Sequence, residues 1–274
     1  NAPAPITILV DAGKNASVLT SLEHALPHTH SKYIDVLVMT HPDIDHIGGF
    51  ADILKRYEVG VFISNGGVSD TAVFTNLLSK LKEKNIPIVE MKEGDRVRYG
   101  EHTLLVLAPS VEILQTNSRN EASIMLMLET QTGIRALLTG YAGSPSEEVL
   151  LSRGSDLSED ILKVGHHGSR HSTSANFISA VRPLVSVIGV GQNSYGHPAP
   201  EVLETLSLSG SAVYRTDLHH TLVIPLTKTP QQHVSPNERE GLTRSSSPFA
   251  RLFQTASAIF TGSYTSSAFT PISL

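Results

Sequence analysis

Apolar residues fall in short runs along this chain, and their period switches repeatedly between that of a strand and that of a helix. Residues 6–10 form a β-branched run closed by Asp11-Ala12-Gly13, which reads as a strand leading into a turn. Over 16–26, Val18, Leu19, Leu22 and Leu26 share one helical face, and a buried-looking strand over 34–39 follows. A helix over 50–57, a strand over 61–64 and a longer helix over 69–84 continue the alternation, the last with Val73, Leu77, Leu78 and Leu81 at helical spacing. Strand 86–91 precedes two hairpins. One joins 96–99 to 103–107 through Gly100-Glu101, and the other joins 123–129 to 134–138 around Thr132-Gly133. A strand opening at Ile161, a helix over 175–181, a strand over 185–190 and a helix over 200–208 complete the pattern, and Tyr214 to Asp217 ends one more strand. Alternating strands and helices around an antiparallel middle predict a layered α/β sandwich over 1–226. Asn65-Gly66-Gly67 reads as a loop and nothing more. After Pro225 the period fails: residues 227–274 are rich in Ser, Thr, Pro and Gln and read as a mobile tail with one weak helix around 249–260.

Candidate chemistry concentrates where strand 34–39 gives way to helix 50–57. There, Thr40-His41-Pro42-Asp43-Ile44-Asp45-His46-Ile47-Gly48-Gly49 packs four potential ligands into six residues. A sharp turn at a strand end lets His41, Asp43, Asp45 and His46 converge, and imidazole nitrogen with carboxylate oxygen suits zinc, manganese or iron. Two imidazoles and two carboxylates exceed what one tetrahedral ion takes from one loop, which favours two metals. A plain turn with a helix N-cap needs a single acid and leaves both histidines unexplained. A second histidine-bearing loop, Gly165-His166-His167-Gly168-Ser169, lies beside Lys163, Arg170 and His171. Such a loop can add an imidazole ligand and backbone N–H donors for an anion.

Composition narrows the picture. The 274 residues carry a formal net charge of −5, which argues against bulk electrostatic binding of nucleic acid but leaves room for a local basic patch. No Cys is present, which excludes disulfides and thiolate ligands, and no Trp, so stacking would fall to Tyr, Phe or His. No apolar run approaches the length of a membrane span. Asn at position 1 suggests a fragment or processed form.

The pattern HxDxDH followed by Gly-Gly, after a strand ending in Thr40, resembles the metal-binding signature of the metallo-β-lactamase superfamily. The form with Asp43, where His is commoner, resembles the hydrolase domain of ComEC-type DNA-uptake proteins and their stand-alone relatives. Leu162-Lys163-Val164-Gly165-His166-His167-Gly168-Ser169 matches that domain closely. Asn120-Glu121-Ala122-Ser123 and the run from Asn193 through Tyr195-Gly196-His197-Pro198 to Val202 are similar to it as well. The resemblance covers residues 6–226. It implies an αββα sandwich, with an N-terminal edge truncated relative to the family, and one or two divalent ions, zinc or manganese. It also implies metal-assisted hydrolysis of a phosphodiester, single-stranded DNA during uptake, and an extracytoplasmic location if the chain acts as the competence domain does. His41, Asp43, Asp45, His46 and His166 would hold metal, with Asp45 and His197 in catalysis. His167, Ser169 and Asn120 would face substrate. The roles of His166 and His167 are interchangeable on spacing alone. Asp11 is either a turn residue or an outer partner of the metal site. No His lies between His102 and His166, where other branches place a ligand, which lowers the expected ligand count.

One position departs from the family. Its strand ends Leu-Thr-Gly-Asp with an acid that bridges two metals, whereas Leu138-Thr139-Gly140 leads here to Tyr141. A neutral phenol, with an ordinary pKa near 10, bridges cations poorly. One metal position is then weakened or lost, or Tyr141 binds as phenolate, or activity is reduced or absent. Two other functions stay open: hydrolysis of a β-lactam or lactone by the same chemistry, and a non-catalytic metal- or nucleic-acid-binding module.

Overall fold

The computed structural model describes residues 6–26, 32–115, 118–224, 226 and 257–260. Among them, two sheets lie face to face. The first is all parallel, in the order β12 (Ser257–Phe260), β1 (Thr7–Val10), β2 (Tyr33–Val38), β3 (Glu58–Ser64), β4 (Ile88–Glu90). The second runs β11 (Ala212–Arg215), β10 (Val185–Ile188), β9 (Ile161–Lys163), β8 (Arg135–Leu138), β7 (Met125–Glu129), β6 (His102–Ala108), β5 (Arg96–Tyr99). Its β5–β8 half is antiparallel, as the two hairpin turns predict, and its β8–β11 half is parallel.

Alternation along the strands builds the layers. Ile8, Val10, Val36, Val38 and Ile63 meet Leu104, Val106, Leu126, Leu138 and Val187 between the sheets. Leu9, Leu37 and Phe62 point the other way, under α1 (Val18–Ala25), α3 (Phe50–Arg56) and α4 (Ala72–Glu83). Met125, Leu137, Leu162 and Ile188 do the same under α6 (Ser144–Ser152), α7 (Ala175–Val181) and α8 (Pro200–Leu208). The order is therefore helix, sheet, sheet, helix, as predicted. Strands covered on both faces lose polar alternation, which is why β1 is buried at every position.

Helix α6 carries no strong apolar stripe and is not foreseen from periodicity. Its N-terminus is instead fixed by Glu121, whose carboxylate accepts from the Ser146 hydroxyl at 2.6 Å and from the Ser146 and Gly143 N–H groups. The short helices α2 (Ile44–Ile47), α5 (Val111–Leu114) and α9 (Thr216–His219) are also absent from the sequence expectation. Asn65 is more than a loop residue: it is buried, donates from Nδ2 to the Ala122 carbonyl at 2.6 Å and accepts the Gly67 N–H on Oδ1. In the tail, residues 257–260 form a strand beside β1 where the weak helix was expected; 227–256 and 261–274 lie outside the described residues. No helix among the described residues is long and apolar enough to cross a membrane.

Candidate metal centre

Parallel strands β2, β8, β9 and β10 bring their carboxyl ends to one edge of the sandwich, and the chemically loaded turns follow them there. Beyond β2 the chain turns into α2. Asp43 takes the N-cap position with extended backbone but makes no capping bond with its side chain. Asp45 and His46 then project from the first turn of α2. Gly48 and Gly49 allow this turn to press on the segment after β1, because a Cβ on either would collide with the backbone carbonyls of Lys14 and Ala12.

Asp45, His46 and His167 each offer one donor atom within 4.8 Å of the others. His41 is fully buried against them, its ring 4.0 Å from that of His46. The Nε2 atoms of His41 and His46 are buried without a hydrogen-bond partner, a costly state for polar nitrogens unless a cation takes their lone pairs. The residues present therefore fit a divalent ion, and nitrogen with carboxylate oxygen suits zinc, manganese or iron.

Outer contacts fix the rings. Asp11, with φ 57°, accepts the Thr40 N–H at 2.8 Å and lies 2.5 Å from His46 Nδ1, so it is the outer partner of the site rather than a plain turn residue. Thr40 Oγ1 lies 2.8 Å from Asp11 and 3.1 Å from His41 Nδ1. His167 Nδ1 is 2.5 Å from the Gly189 carbonyl, which leaves Nε2 to face the cluster. Burial pushes His41 well down and takes His167 and His166 to about 4, so these imidazoles are neutral at pH 7, the form that binds metal. Burial works the same way on His46, but the charge and hydrogen bond of Asp11 outweigh it and raise the group. Burial would raise Asp45; hydrogen bonds from His167 and Tyr141 and the His46 charge hold it below the usual carboxylate range instead.

The structure separates the other predicted residues. Of the adjacent pair, His167 has its nitrogen in the cluster, while His166, the expected ligand, stacks on the Tyr141 ring at 4.1 Å and 16°. Both take positive φ within one tight loop, and both rings contact Tyr141. Asp43 stands aside, its Oδ2 3.8 Å from His41 Nε2 and its Oδ1 3.5 Å from Arg119. Ser169 does not face outward: it is buried, and its hydroxyl accepts the His171 N–H at 3.3 Å. Asn120 is half-buried and receives the Ser123 N–H on its backbone carbonyl. Ser123 in turn accepts the Tyr141 N–H at 3.2 Å, so this motif positions Tyr141. His197 lies at the rim, its ring 5.9 Å from that of His166. Burial and the nearby Arg170 and His171 lower its pKa.

Tyr141 is buried at the centre. Its hydroxyl touches both Asp45 Oδ2 and His167 Nε2, and its ring lies 4.5 Å from that of His41 and 4.3 Å from that of His46. Behind the cluster is a cavity of about 20 Å³, lined in part by Asp11, Thr40, Tyr141, Lys163 and His167, with room for one water. Lys163 lines this cavity from β9. It is pulled down to about 8 by burial and donates to the Val164 carbonyl at 3.2 Å.

Two facing sheets between helical layers, with a His/Asp cluster at one edge, define a metallo-β-lactamase-type αββα protein. Residues 7–158 match the model of the β-lactamase superfamily domain, and the chain belongs to that family, one of metal-binding hydrolases. Its curated relatives are competence proteins of ComEC type. ComE operon protein 3 of Bacillus subtilis (strain 168) is 33% identical over 192 residues, which cover 70% of this chain and 24% of that protein. Competence protein ComA of Neisseria gonorrhoeae is 30% identical over 222 residues, covering 78% and 28%. The chain thus spans about a quarter of the length of these relatives. Among solved structures, Zn(2+)-bound PqqB from Methylobacterium extorquens superposes with a TM-score of 0.50 at 10% identity, covering 76% of this chain and 81% of that one. The metallo-beta-lactamase fold protein YhfI from Bacillus subtilis gives the same TM-score and identity, with 76% and 83% covered. At that identity they speak for the fold alone.

Proposed function

We propose that this chain is a metal-dependent hydrolase of phosphodiesters, with single-stranded DNA as its substrate. The observation that carries the reading is the convergence of Asp45, His46 and His167 with the unpartnered Nε2 atoms of His41 and His46. Asp45, His46 and His167 would hold a zinc or manganese ion, with His41 and Asp43 flanking it. A divalent ion bound there lowers the pKa of a water toward neutrality and stabilises charge on the attacked centre. Asp11 and the Gly189 carbonyl orient two of the imidazoles, so the donor set is held before any ion arrives. His197, neutral at pH 7, offers one N–H donor and one lone pair at the rim. Arg170 and His171 beside it favour an anionic substrate, and the competence relatives favour DNA.

The test is cleavage of labelled single-stranded DNA with manganese or zinc, by the chain as given and by Asp45→Asn, with nitrocefin and a lactone run in parallel. Cleavage of DNA by the first and not the second is expected. Wild-type-like rates in Asp45→Asn would sink the assignment, and turnover of either ring substrate alone would move the function to small-ring hydrolysis. One observation favours a non-catalytic binding module: the Tyr141 hydroxyl sits on two of the candidate ligands. Undiminished oligonucleotide affinity without cleavage in either metal would select that reading.

A further inference from the structure

We infer that Tyr141 fixes the ion count of this site at one, by closing the second cation position and serving as a donor to the remaining ion. The inference rests on the metal-site reading above and adds the role of a residue that departs from its family. Three observations carry it.

The first is where the hydroxyl lies. It contacts Asp45 Oδ2 and His167 Nε2, two of the three convergent donors, so an ion held by Asp45, His46 and His167 has the Tyr141 oxygen beside it. Asp45, His46 and His167 supply three donors and the Tyr141 oxygen a fourth, and a zinc ion that expands to five-coordinate keeps one position for water. The Tyr141 oxygen would hold the ion beside Asp45, His46 and His167, its proton passing to solvent.

The second is how firmly the ring is held. Tyr141 is 5% exposed, lies between the rings of His166 and His41, and is tied through its backbone N–H to Ser123. Gly140 before it has φ 54°, and a Cβ there would come within 3.1–3.3 Å of Ser123, Ile124 and Thr40. The ring cannot swing out without disturbing that packing.

The third is what remains for a second ion. His41 and Asp43 are the donors left over in the turn after β2, and His166 has its ring stacked on Tyr141; Asp43 is half-exposed and drawn toward Arg119. One free imidazole, one stacked imidazole and one half-exposed carboxylate, with no bridging acid, fall short of a second site.

The experiment counts ions and reads the phenol directly. The chain as given, Tyr141→Phe and Tyr141→Asp are stripped of metal, checked for folding by circular dichroism and titrated with zinc by calorimetry. The bound zinc is then counted by elemental analysis, and each protein is separately loaded with iron(III) to look for the visible phenolate-to-iron band. One zinc per chain and a visible band are expected for the chain as given. Tyr141→Phe should bind one zinc more than about 100-fold more weakly and lose the band. Tyr141→Asp should bind two. Two zinc ions on the chain as given, a band that survives in Tyr141→Phe, or a folded Tyr141→Asp that still takes one ion would each overturn the inference. No zinc on any of the three would overturn both this inference and the metal-hydrolase reading. DNA cleavage is not measured here, so loss of the nuclease assignment alone leaves the ion count standing.

Discussion

His166 and His167 differ by one position in sequence and by their whole environment in space. His167 is 2% exposed, braced by the Gly189 carbonyl and aimed at Asp45, whereas His166 is half-buried and stacked on Tyr141. Replacing a ligand should cost more affinity than replacing a ring that only packs nearby. His167→Ala should therefore weaken zinc by more than the roughly 10–100-fold typical of losing an outer partner, while His166→Ala stays within about tenfold of the parent. Competitive chelator titration checks this, and equal losses in the two variants would return His166 to the ligand set. At this scale the sequence showed that histidines and carboxylates belong together. It did not show which of two neighbours turns inward, because positive φ at both residues sets the ring directions and adjacent positions share the same spacing.

At the level of elements, the turn with the candidate ligands depends on how closely α2 can approach the segment after β1. The Gly48 N–H donates to the Ile44 carbonyl and Gly49 to Gly13, while an added side-chain carbon at Gly48 meets the Lys14 carbonyl. Backbone is the obstacle, so relaxation means moving α2 itself. Gly48→Ala should cost about 2–3 kcal/mol and lower zinc affinity together, since α2 carries Asp45 and His46. Thermal melts and zinc titration of one preparation test this, and a variant stable and tight as the parent would show that the turn has slack. Helices with a clear apolar face were legible, α7 and α8 to the residue. Helix α6 was not, because its start is set by Glu121 and because Glu147 ties it to α7 by accepting the Thr173 and Ser174 N–H groups. Those partners are distant in sequence, and no local period records them.

Across the whole molecule, the parallel strands carry the candidate site at their carboxyl ends and leave a buried acid at the opposite end. Glu159, just before β9, is 4% exposed and near Arg135 at 3.0 Å, and burial raises its pKa from 4.5 to about 8. Between those two values the folded chain keeps a proton that the unfolded chain has released. Stability therefore falls as pH rises through this window, by up to about 1.4 kcal/mol per unit, and levels off above it. Glu159→Gln should flatten that decline and melt higher than the parent at pH 8–9, with little difference near pH 4. Melting curves across pH 4–9 decide it; parallel profiles for the two proteins would mean that Glu159 ionises freely in the fold.

The sequence by itself determined the layers, the hairpins and the two loops that carry the chemistry. Period, turn residues and ligand type are local properties, and the local backbone expresses them directly. Its resemblance to the family also flagged Tyr141, which stands where that family carries an acid. Only the tertiary structure decided which donors meet, that Asp11 braces His46, that Asp43 and Ser169 turn away, and that the Tyr141 hydroxyl lies between Asp45 and His167. Those outcomes depend on distances between residues from different strands, set when two sheets pack face to face, and no spacing along one chain encodes them.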